Sequence, residues 1–193
     1  MSKLNKVPNF KLTAKNIIRQ RPRMVAIESQ KFFKESFVKG GFTDDVFHQW
    51  LDRKSPLGGK KVLIGGQGSN TMNLMQSVRP LEVSEKKVRV GSDLEYSEIH
   101  NDGGIITVTA KMKKFWWAKY FQFAGSIKKT KGGKTSNSAK NQRLNAKAEY
   151  CRNMALMEVG SKIKMPKRQY IGESKTLFKQ FEDWFASETE KLK

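Results

Sequence analysis

The basic charge of this chain is confined to two stretches, and that confinement limits which parts can build a core. Residues 1–23 carry seven Lys or Arg and no carboxylate, and residues 110–169 carry sixteen against two. The formal charge over all 193 residues is +20, so the blocks 24–60, 61–109 and 170–193 are each within one charge of neutral. The neutral blocks read as an ordinary folded scaffold. The first basic stretch reads as a flexible N-terminal arm, mobile or ordered by a partner, in which Pro8 and Pro22 limit regular helix. An excess of this size fits contact with nucleic acid or another polyanion, although net charge governs association rather than fold.

A chain of this length has room for one domain with a hydrophobic core, expected over 24–193. Cys151 is the only cysteine, which excludes an intrachain disulfide and a Cys-based zinc site and points to a reducing cytoplasm. No uninterrupted apolar run approaches the roughly 20 residues of a membrane span, so no membrane partner is expected. Nor do the apolar residues of Met1 to Arg23, scattered among basic ones, make a secretory signal.

Periodicity predicts an α+β fold: a small antiparallel sheet of three to four strands, flanked by helices and closed by a long C-terminal amphipathic helix. Val25, Phe32, Phe33 and Phe37 recur at helical spacing up to Gly40-Gly41, a glycine stop. Asp44, Asp45 and Trp50 fall in a second short element. Leu81 and Val83 alternate with Glu82, and Val88 and Val90 with Arg89, across a polar turn at Ser84-Glu85-Lys86, which reads as a hairpin. Ile105 to Thr109 reads as a third strand after the Asn101-Asp102-Gly103-Gly104 turn, and Asn70 to Ser77 as a helical turn or a strand. Thr109 caps a helix to about Ala124, and Ser138 to Val159 carries the stripe Leu144, Ala148, Cys151, Ala155, Val159, ended by Gly160. In the last helix Ser174 is the N-cap, and Leu177, Phe178, Phe181, Trp184 and Phe185 share one face.

Catalytic and cofactor signatures fail on inspection. Gly65-Gly66-Gln67-Gly68 lacks the Lys and Ser/Thr of a P-loop, and Gly133-Lys134-Thr135 lacks the glycine spacing before it. Only His48 and His100 are present, and no nucleophile motif surrounds Cys151, which falls at an apolar helix position. Glu98, His100 and Asp102 alternate as ligands on one strand face would, but one imidazole without a second cluster reads better as a polar turn. No enzyme, cofactor or metal is expected.

The basic, aromatic-rich insertion at about 110–147 supports two readings. Phe115, Trp116, Trp117, Tyr120, Phe121 and Phe123 are interleaved with Lys111, Lys113, Lys114 and Lys119, a pattern suited to stacking on bases while phosphate is neutralised. Met112, Trp116, Tyr120 and Phe123 also share one helical face, as a packing helix requires. The polyanion candidates are Lys128, Lys129, Lys131, Lys134, Lys140, Arg143 and Lys147.

The order of motifs resembles a known family. Val88-Arg89-Val90-Gly91, then Tyr96, His100, Asp102, Gly103 and Gly104, and far downstream Pro166, Arg168, Tyr170 and Gly172 ahead of the closing helix, resemble the phage virion morphogenesis family. These are tail-completion proteins of long-tailed bacteriophages. Phe32 to Phe37 and Trp50 add to the likeness over residues 24 to 190, whereas Gly68 to Met72 stands in place of the family's Thr-Gly step. The resemblance implies an α+β subunit without catalytic activity that joins a homo-oligomeric ring, six-fold in one arrangement, the free subunit being either monomeric or already oligomeric before assembly. It also implies tail-tube and head-connector partners, and a place in the virion tail or neck after assembly in the bacterial host cytoplasm. Trp116 and Trp117 become candidates for contact with a neighbouring subunit, and Arg168 for a fork onto a neighbour's carboxylate. The alternative reading is a sequence-nonspecific nucleic-acid-binding protein that uses the arm and residues 110–147.

Overall fold

A computed structural model describes residues 10–58, 61–64 and 73–190. In chain order it contains helix α1 (Phe10–Lys39), strands β1 (Gly41–Thr43) and β2 (Phe47–Gln49), helix α2 (Asn73–Ser77), strands β3 (Arg79–Val83) and β4 (Val88–Gly91) and helix α3 (Ser97–Asn101). Strand β5 (Gly104–Thr107), helices α4 (Ala110–Gly125) and α5 (Ala139–Leu156), strand β6 (Lys162–Met165) and helix α6 (Lys175–Glu190) complete it. The fold is α+β. Its strands form three separate antiparallel pairs, β1 with β2, β3 with β4 and β5 with β6, where one small sheet of three to four strands was expected. Alternation identified β3 and β4, and the β-branched run found β5, which ends at Thr107 rather than Thr109, whereas β1, β2 and β6 were not read as strands. Local pattern carries no label for the partner, and β5 finds its own more than fifty residues downstream. Among the described residues no helix is long and apolar enough to cross a membrane.

The chain divides into two compact units where the sequence suggested one domain. The first takes the described parts of 1–50, 72–97 and 169–193. Its core is built on α1, whose Phe33 and Phe37 are buried and whose Phe37 ring meets Trp50 edge-on at 5.7 Å and Tyr170 at 4.7 Å. Two polar anchors fix these rings: the Trp50 Nε1–H donates to the Gln169 carbonyl at 2.7 Å, and the Tyr170 hydroxyl donates to the Ser97 carbonyl at 3.0 Å. Gly40, at φ +74°, ends α1 in the left-handed conformation that glycine adopts without strain. Ser174 caps α6 by accepting the Leu177 N–H at 3.2 Å, and it donates to the Thr43 carbonyl at 2.8 Å, which ties the helix to β1.

The N-terminal helix extends further than the sequence suggested. Residues 10–23, read as part of an arm, belong to α1, which passes through Pro22. A proline inside a helix forfeits one hydrogen bond at a cost of about 3 kcal/mol. Burial of Ile17 on one side of it and Ala26 on the other offsets that cost, and burial is a term local propensity does not contain.

The second unit holds the described parts of 51–71 together with 98–168. Its β5–β6 pair has the register Gly104↔Met165 to Thr107↔Lys162. Past β5, the buried Val108 exchanges backbone hydrogen bonds with Ser161 and Gly160. Thr109 caps α4 through the Met112 N–H at 3.2 Å, and Ser138 caps α5 through the Asn141 N–H at 3.3 Å. The two helices pack as an antiparallel hairpin on the small buried residues Ala148, Cys151 and Ala155 of α5. Helix α5 stops at Leu156, short of Gly160, so Val159 is exposed rather than the last member of the buried stripe. Gly65 to Gly68, and the Gly68 to Met72 segment, lie outside the described residues, as do residues 1–9 of the arm.

Candidate functional site

Two constellations contain the residues singled out in the sequence. The first joins the two distant segments of the family-like motif. Ser97–Asn101 forms one helical turn rather than a strand, closed by the Asp102 N–H donating to the Glu98 carbonyl at 2.8 Å. Glu98, His100 and Asp102 therefore do not share a face, and no group of His, Cys, Asp and Glu suited to a metal occurs among the described residues. Gly103 follows at φ +74°, close against the backbone of the other segment: a Cβ there would lie 2.8 Å from the Lys167 nitrogen and 3.0 Å from the Met165 carbonyl oxygen. Only glycine meets both demands. Gly104, Pro166 and Lys167, with Lys162 and Lys164, border an open depression of about 450 Å³.

Arg168 serves a different purpose from the one expected. It is buried, and its guanidinium donates through Nε and Nη2 to the Leu51 carbonyl at 3.1 Å and through Nη2 to the Asp52 carbonyl at 3.3 Å. The fork is spent on the chain's own backbone, not on a neighbour's carboxylate. The Arg168 N–H also donates to the His100 carbonyl at 3.0 Å. Burial, with the positive charge of Arg168 adding to it, holds the His100 imidazole below its usual pKa. Burial, with Arg53 nearby, lowers the Arg168 pKa as well, against the opposing pull of Asp52. Tyr170 is a fully buried core ring rather than a surface contact, and its hydroxyl donates to the Ser97 carbonyl. Tyr96 is exposed, and Gly172 has an extended backbone at φ +159° before α6.

The second constellation is the α4–α5 hairpin with its connecting loop. Trp116 is half-buried and meets Tyr150 of α5 edge-on at 5.9 Å, so it packs within the unit. Trp117 stacks on Phe121 at 5.9 Å and 26°, and Phe121 is 64% exposed. The connecting loop is a built hairpin: Lys129 bridges to Thr135, the Thr130 N–H donates to the Lys134 carbonyl at 2.7 Å, and the Ser136 N–H donates to the Lys128 carbonyl at 3.1 Å. Asn141 clamps its base. That side chain is 3% exposed, donates to the carbonyls of Lys128 and Ser136 at 2.8 Å each, and accepts the Lys128 N–H at 3.2 Å.

Of the seven basic candidates, Lys128, Lys129, Lys131, Lys134, Lys140 and Arg143 are exposed. Lys147 is half-buried and lies over the Phe123 ring at 5.7 Å, so it serves the packing of the hairpin instead. Cys151 is buried, and desolvation raises its thiol pKa, which suits a packing role. The sequence reading missed Asn141, although it continues the stripe Leu144, Ala148, Cys151, Ala155 by one turn. A polar residue on an apolar stripe was the available signal.

Comparison with protein-family models, with curated proteins and with solved structures finds no match to this chain.

Proposed function

We propose that this chain is a structural virion-assembly subunit that completes a phage or prophage tail and helps join it to the head, with no catalytic activity. The observation that supports this reading is the meeting of two segments that carry the motif but lie more than sixty residues apart. The Arg168 N–H donates to the His100 carbonyl and Gly103 lies close against the backbone of Met165 and Lys167, and this contact between the two segments supports the reading. Residues of this motif brace the subunit, and contact with neighbours falls to other surfaces. Exposed apolar side chains supply them: Phe121 on α4, and Phe178 and Phe185 on α6. Apolar groups of that size on a free subunit favour burial by another copy or a tail protein.

The subunit is monomeric until a tail-tube end gathers copies into a ring at the tail or neck, assembled in the bacterial cytoplasm. Light scattering on the purified chain and its sedimentation with tail tubes test this. The expected result is co-sedimentation with the tubes, lost in Phe121→Glu while circular dichroism is unchanged. A chain that neither forms rings nor binds tubes at any concentration would refute the reading.

A further inference from the structure

The hairpin between α4 and α5 has the properties of a phosphate-contacting tongue. From Gly103 to Ala148 the sequence contains eleven Lys or Arg and no carboxylate. Every ion pair among the described residues lies elsewhere, at Lys31–Glu28, Lys39–Glu35, Arg79–Asp93, Lys87–Glu82 and Lys175–Asp45. The charge of this region is therefore unpaired among the described residues, and Asn141, buried and making three hydrogen bonds to the loop backbone, fixes the loop that presents it. Around Gly132 and Gly133 at the tip, a Cβ would meet nothing within 4 Å. The tip is thin and open.

Composition separates the possible partners. Residues 128–138 contain only Lys, Thr, Gly, Ser and Asn. Protein interfaces centre on aromatic or aliphatic anchors and are depleted in lysine, so an acidic protein would find no hot spot here. Phosphate backbones are held by Lys and Arg together with small hydroxyl and amide side chains and backbone N–H groups, and a two-stranded ribbon fits the DNA major groove. We infer that Lys128, Lys129, Lys131 and Lys134 of this tongue, with Lys140 and Arg143 at the start of α5, bind the phosphate backbone of nucleic acid without reading its sequence. The inference needs no ring and no tail partner, so it stands or falls apart from the tail-completion reading.

Fluorescence anisotropy of the full chain with a labelled DNA duplex of about 30 base pairs tests it. Six phosphate contacts give a log–log salt slope near −5, or about 10³-fold weaker binding between about 50 and 200 mM salt. Replacing Lys128, Lys129, Lys131 and Lys134 with Gln should bring the slope near −2 and the loss to about tenfold. Replacing Lys11, Lys15, Arg19 and Arg21 with Gln should leave the slope near −5. Asn141→Ala retains every charge but releases the clamp, and should weaken binding about tenfold through the added cost of ordering the loop. Single-stranded DNA and an RNA duplex, run in parallel, identify which backbone is held most tightly, and salt-dependent binding of any of them through the tongue supports the inference. It is overturned by an absence of binding at low salt, by equal effects of the tongue and α1 substitutions, or by unchanged affinity in Asn141→Ala. Competition by polyglutamate as strong as by DNA at matched charge also overturns it, in favour of an acidic polypeptide partner.

Discussion

Replacing Gly103 with Ala should destabilise the chain by about 3 kcal/mol, and the structure separates that figure into two causes. The backbone at Gly103 has φ +74°, where any residue with a Cβ is strained by about 1 to 2 kcal/mol. The new methyl would also lie 2.8 Å from the Lys167 nitrogen and 3.0 Å from the Met165 oxygen. Both are backbone atoms, so relief requires moving the end of β6, and overpacking of this kind costs about 1 to 3 kcal/mol. Two other glycines isolate the contributions. Gly133 shares φ +74° but has open space around it, so Gly133→Ala should cost only the strain, about 1 kcal/mol. Gly132 has neither constraint, and Gly132→Ala should stabilise by about 0.5 kcal/mol through the unfolded chain. With a urea slope of about 2 kcal/mol/M, the midpoints should shift by about −1.5, −0.5 and +0.25 M in that order. Equal shifts in Gly103→Ala and Gly133→Ala would mean that the close approach between the two motif segments does not exist.

Two further outcomes follow from the same joint. Burial and then Arg168 lower the His100 pKa, so the unfolded chain binds this proton more readily; His100 contributes stability above its unfolded pKa of about 6.5, and that contribution is lost as pH falls through the folded value. Urea midpoints from pH 7.5 down to about 5 should therefore fall more steeply in the wild type than in His100→Gln. Arg168→Met leaves the Leu51 and Asp52 carbonyls without their charged donor and should cost about 3 kcal/mol, read as a melting temperature lower by roughly 10 °C; Arg168→Lys should rescue little, because an ammonium cannot reproduce the fork.

Much of the local structure was legible in the sequence. Thr109 and Ser174 were readable as caps because a cap is a hydrogen bond across three residues, and each accepts the backbone N–H three residues on. The turn at Ser84-Glu85-Lys86 was readable for the same reason, its ends joined by Ser84 N–H to the Lys87 carbonyl at 2.8 Å. The buried Cys151 followed from a helical stripe. Among the site residues, the exposed lysines of the connecting loop were legible from composition alone, since no apolar neighbour competes for them.

What the sequence by itself determined was therefore local: where elements begin and stop, which helix faces are apolar, and that the basic charge lies outside the blocks that build most of the first unit's core. The tertiary structure alone decided that β5 pairs with β6, that the Arg168 fork is spent on Leu51 across 117 positions of sequence, that Tyr170 is core, and that Asn141 turns a basic loop into a clamped hairpin. The physical reason is range. Capping and periodicity act within a turn or two of chain, whereas burial and strand pairing depend on which distant backbone arrives, and a single sequence does not state that address.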